Sequence, residues 1–151
     1  MNLLWKTLQL QDRKLKDMST AIIREHLVKI IDGLKKVDYI TRQLGDAPEQ
    51  ESLERAIAER EVIMRNDIDK RAKELATIFP DWHEQAGNDS ILCLLLGEME
   101  KLTHSIMHMD EHFVFVLRRR MNEIDKKMVS LYHTSRAAHS YTANSRLSLT
   151  R

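Results

Sequence analysis

Three histidines, His104, His108 and His112, recur at every fourth position. On a helix that spacing stacks them in one stripe, and imidazoles one turn apart can chelate zinc or copper. The stripe falls beside the apolar positions Leu102, Ile106, Met109 and Phe113, at their flank. The sequence has no His-Glu-x-x-His motif and no Glu-x-x-His pair of the di-iron bundle type. Flanking or surface histidines are the better reading, so no metal and no other cofactor is expected. A metal-binding bundle stays as a minor alternative.

The other reactive side chains read the same way. Glu98, Glu100, Asp110 and Glu111 pair as carboxylates must in any acid-rich helix. Without pocket-forming loops or strands, general acid–base work is not expected. Ser, His and Asp are present, but no nucleophile elbow or glycine-rich phosphate loop accompanies them. Cys93, within Ile91-Leu92-Cys93-Leu94-Leu95, is expected in apolar packing. Arg118-Arg119-Arg120 is the densest basic run, with Glu123 and Asp125 close behind, and reads as a solvated helix face. The chain is expected to be no enzyme.

Composition agrees. The 151 residues suffice for one domain with a core, and 4 Gly, 2 Pro and 31% charged residues suit long helices. A net charge of +1 gives no bulk field for nucleic acid or acidic lipid. One cysteine fits a reducing compartment, and a cytoplasmic location is expected. Lys6, Asp12 and Arg13 interrupt the opening MNLLWKTLQLQDRKLK, unlike a signal peptide. The longest apolar run, Ile91–Leu96, is far shorter than the roughly 20 residues of a membrane span.

Three periodic segments would carry these residues. The first spans about 2–44: Leu4, Leu8, Leu15, Met18 and Ile22 keep 4-3 spacing with Gln11 as the polar member. The series then steps by one to Ile23, Leu27, Ile30, Leu34, Val37 and Leu44, with Thr41 polar, which implies a slight rotation of the seam. Gly33 inside it marks a kink or a close crossing, and Gly45-Asp46-Ala47-Pro48 is a stop. The second segment, about 49–79, has the seam Leu53, Ile57, Met64, Ile68, Leu75, Ile78, with Arg60 and Arg71 at would-be core positions. The third, about 90–132, opens on an Asp89 or Ser90 cap and runs Leu92, Leu95, Met99, Leu102, Ile106, Met109, Phe113, Val116. It then steps by one to Leu117, Met121, Ile124, Met128, Leu131.

Beyond these, 133–151 lose the stripe and read as a flexible tail. Trp5 and Trp82 are expected to cap the core at the bundle ends. The fold class is all-α: an elongated antiparallel three-helix bundle, a coiled-coil-like rod, over 1–132. Helix two is shortest, so helices one and three outrun it. Apolar surface left there favours a homodimer or a partner helix.

The run Asp110-Glu111-His112-x4-Leu117-x3-Met121-x2-Ile124-x3-Met128-x2-Leu131, followed by Tyr141-x2-Asn144, resembles the end of FlgN-type flagellar export chaperones. His112 stands where that family usually has Asn, and Asn144 where it usually has Gly. The charged middle helix and long first helix are similar too. The resemblance implies a cytoplasmic type III export chaperone. It would bind the C-terminal amphipathic helix of hook–filament junction (hook-associated) proteins and deliver them to an export gate component. Carried over, it implies Leu117, Met121, Ile124, Met128 and Leu131 as apolar anchors and Tyr141 as a gate contact. The alternative is a generic helical adaptor or coiled-coil dimer.

Overall fold

The computed structural model describes residues 2–149, with side chains through residue 144. Its helices are α1 (Asn2–Gln43), α2 (Gln50–Ile63), α3 (Lys70–Ile78), α4 (Trp82–Gly87) and α5 (Ser90–Leu149), with a π turn, Met64–Asp69, joining α2 to α3. No strand occurs among the described residues. The protein is an all-α bundle, as the spacing predicts. It divides into two units, residues 1–110 and 111–151.

In the first unit, α1, the α2–α3 column and the first part of α5 pack together. The α2–α3 column is antiparallel to α1: Leu27 shares a cluster with Leu75, while Leu34 and Val37 pack with Ile63. α5 runs back parallel to α1, with Lys35 3.0 Å from Glu98 and Asp38 accepting a 2.8 Å bond from Ser105. Ile23, Leu27, Leu75, Trp82, Ala86 and Leu92 form one core cluster, and Ile30, Leu34, Val37 and Ile106 another. Met99 packs against both, a use suited to an unbranched, adaptable side chain. Thr41 is buried at its seam position because its hydroxyl donates to the Val37 carbonyl at 2.7 Å.

Local signals place the helix ends. Gly45 has φ 67° just past α1, the left-handed conformation that closes helices. Asp89 is the cap of α5: its Oδ1 accepts from the Ile91 and Leu92 amides at 3.0 and 2.9 Å.

The middle column departs from one unbroken stripe. Ile57 and Ile78 are exposed, while Ala56 is buried and Ile63 packs inward. The next inward residue is Ile68, five positions on, and an i→i+5 turn is what brings it back to the same face. That turn presses on α1 where Gly33 has no side chain. A Cβ there would sit 3.0 Å from Ile68 Cγ1 and 3.3 Å from Asp67 Cβ. Gly33 thus marks a close crossing.

Three expectations need correction. The first stretch of α1 packs against nothing among the described residues: Leu4, Leu8, Leu15 and Met18 are 56–74% exposed, and Trp5 is exposed rather than a core cap, unlike buried Trp82. Every residue from 2 to 18 is exposed, so no face of this stretch has the bundle beside it, whichever way its seam points. Cys93 is exposed, its Sγ 3.4 and 3.3 Å from the Ala86 and Gly87 carbonyls. Finally, α5 does not end near 132 but is helical to Leu149. No Gly or Pro interrupts 133–149, and Thr134 and Thr142 hydroxyls satisfy themselves on the carbonyls one turn back, at 2.9 and 2.8 Å. Residues 150 and 151 of the expected tail lie outside the described residues.

Candidate helix-binding site

Polar contacts hold the proximal part of α5 in the first unit. Arg60, at a would-be core position, meets Asp110 through two parallel hydrogen bonds of 2.7 and 2.8 Å. Arg42 donates to Asp38 at 2.7 Å and to Ser105 at 2.9 Å, and Ser105 donates to Asp38. Burial pushes the Asp38 carboxyl up, but the hydrogen bonds from Arg42 and Ser105 outweigh it and hold its pKa below the ordinary 3.8. The same contact with Asp38 raises the Arg42 pKa.

The second unit is the distal part of α5, and there the seam changes character. Phe113 is buried and Val116 half-buried. From Leu117 on, every apolar position of the seam is open: Leu117 is 37% exposed, and Met121, Ile124, Met128 and Leu131 are 55–69% exposed. The one-residue step from Val116 to Leu117 therefore coincides with the change from buried to exposed. The structure brings the five anchors expected from sequence onto one helix at 4-3-4-3 spacing.

One residue of this stripe escaped the sequence reading. Val114, 46% exposed, lies three positions before Leu117 and extends the same spacing backwards. It overlaps the first seam, so between 113 and 117 the helix carries two apolar faces, one buried and one exposed. The signal was the interleaving itself, masked because Phe113 and Val116 read as a simple continuation. Tyr132, also exposed, flanks the stripe.

Tyr141 is 77% exposed and does not share the stripe. Ten residues from Leu131 leave it roughly 80° round the helix. A residue there can meet a second partner while the stripe is covered.

Charge flanks the stripe unevenly. From 117 to 131 there are five basic residues, Arg118, Arg119, Arg120, Lys126 and Lys127, against Glu123 and Asp125. Arg119 lies 3.4 Å from Glu123 on the exposed surface. A complementary helix would carry acids beside its apolar face.

The histidine stripe is exposed, with His104 Nε2 3.8 Å from Glu100. No group of three or more His, Cys, Asp or Glu that could hold a metal ion occurs among the described residues. None of the described helices is long and apolar enough to cross a membrane.

Comparison with protein-family models, with curated proteins and with solved structures gives no match.

Proposed function

We propose that the protein is a non-enzymatic chaperone that captures an amphipathic helix of a partner along the distal half of α5. The carrying observation is the exposed stripe Val114–Leu117–Met121–Ile124–Met128–Leu131 on the distal part of α5. A helix laid on it would bury apolar surface at about 25 cal/mol per Å². The receiving face is already helical, so most of the ordering cost, about 1–2 kcal/mol per residue, falls on the guest. The complex is then moderate in affinity and reversible, as delivery requires.

The finer reading rests on the resemblance to FlgN-type chaperones. The guest is the C-terminal helix of a hook–filament junction protein, held in the cytoplasm and passed to the export gate, with Tyr141 as the gate contact. Its position off the stripe supports this division of labour.

The test is titration of the full chain with a labelled peptide of such a C-terminal helix. Saturable binding in the micromolar range is expected. The double variant Ile124→Asp, Met128→Asp should lose it while its melting temperature stays within about 2 °C, because both side chains are exposed. Binding unchanged in the variant, or none to the intact chain, contradicts the proposal. A large loss of stability would show that these residues are core.

A second reading, a helical adaptor that works as a dimer, is favoured by the exposed start of α1.

A further inference from the structure

The start of α1 is a second apolar face that the proposed function does not use. Leu4, Leu8, Gln11, Leu15, Met18 and Ile22 keep unbroken 4-3 spacing, and Leu4 through Met18 are all exposed. At Ile23 the seam steps by one residue and every apolar member up to Val37 is buried in the chain's own core. Two seams on one helix, rotated by about 150° because a spacing of one replaces a spacing of three, serve two different surfaces. The second is the chain's own bundle.

We propose that the first is another copy of this chain, and that residues 4–22 of two copies form a parallel, in-register coiled coil. The seam keeps the two-in-seven spacing of a coiled coil, with exposed Leu3 and Leu10 as further apolar residues beside it. Asp12 and Asp17 among Lys6, Arg13, Lys14 and Lys16 also suit a protein partner better than a lipid surface.

Charge selects the orientation. With Leu8, Leu15 and Ile22 at one seam position and Leu4, Gln11 and Met18 at the other, Thr7, Lys14 and Ala21 flank one side and Trp5, Asp12 and Ser19 the other. In parallel register Thr7 faces the other copy's Asp12, and Lys14 faces its Ser19, so no like charges oppose. Antiparallel pairing would set Asp12 against Asp12 and Lys14 against Lys14. Parallel register also places Gln11 opposite Gln11, where the two amides bond each other across the apolar seam and penalise slipped registers. The Thr7 and Ser19 hydroxyls already donate to the Leu3 and Lys16 carbonyls, at 2.7 and 2.9 Å, and can lie beside a dry seam.

The bundle leaves room. Because the inner seam is turned by about 150° from the outer one, each copy's bundle sits away from the interface rather than on it. The two-fold axis puts the two bundles on opposite sides.

The experiment uses the full chain with Cys93→Ser, which removes the exposed thiol. Sedimentation should show a dimer at tens of micromolar, and the double variant Leu8→Asp, Leu15→Asp should sediment as a monomer with its melting transition retained. Met18→Cys in the same background should crosslink to itself on oxidation, within the reach of a disulfide between facing positions. A chain monomeric at that concentration, or a dimer indifferent to Leu8 and Leu15, overturns the proposal. Failure of Met18→Cys to self-crosslink, with efficient crosslinking to a Leu8→Cys chain, overturns the parallel register. Peptide capture by α5 is read separately, and the Leu8, Leu15 variant should retain it, so either reading can fail alone.

Discussion

Arg60 grips Asp110 through both terminal guanidinium nitrogens, at 2.7 and 2.8 Å, across the gap between α2 and α5. Asp110 is also the last residue of the first unit. The arginine is mostly buried and the aspartate partly open, so solvent screens part of the gain. A double-mutant cycle with Arg60→Met and Asp110→Asn should give a coupling of about 1 kcal/mol, below that of a fully buried bidentate pair. Urea denaturation of the four proteins measures it, and a coupling near zero would make the contact incidental.

Asp38 predicts a pH dependence. Its pKa is lowered in the folded chain, so its contribution is fully present above the unfolded value and lost as pH falls through the folded one. Asp38→Asn should cost about 1 kcal/mol at neutral pH. The difference from the parent should shrink as pH drops below 3.8. Urea midpoints at several pH values test this. A difference that grows on acidification would reverse the sign.

Gly33→Ala sets two effects against each other. Alanine improves helix propensity by about 1 kcal/mol. Its Cβ would stand 3.0 Å from Ile68 Cγ1 and 3.3 Å from Asp67 Cβ. The second atom is fixed to the backbone of the π turn and cannot swing away, and such crowding costs about 1–3 kcal/mol. Net destabilisation of about 1 kcal/mol is expected in urea denaturation, from the crowding range less the propensity gain. A stabilised variant would mean that the π turn slides aside.

Much of the fold was legible because helices announce themselves by period and punctuation. Ile23 to Val37 repeated as a buried face should, Gly45 ended α1, and Asp89 capped α5. The middle helix misled: Ile57 and Ile78 looked inward, but the five-residue gap from Ile63 to Ile68 reset the face, and a π turn has no composition signal. The start of α1 misled differently. Leu4 to Met18 read correctly as a seam, yet spacing alone cannot say whose surface a seam meets. Only the step at Ile22–Ile23 hinted that the answer changes there. At the candidate site the same step, Val116 to Leu117, was visible, but Val114 was hidden behind Phe113. The helical continuation to Leu149 was missed because a lost stripe was taken for lost helix, when only the apolar periodicity had ended.

The central proposal is that the exposed apolar stripe of distal α5 is the receiving face for a guest helix. Amide hydrogen exchange on the full chain, free and with the junction-protein peptide, tests it most directly. Free, residues 117–144 should exchange within seconds while 92–106 stay protected by the core; with the peptide, protection should spread over 114–131. Slow exchange of that stretch in the free protein, or no change on adding a saturating peptide, would contradict the account.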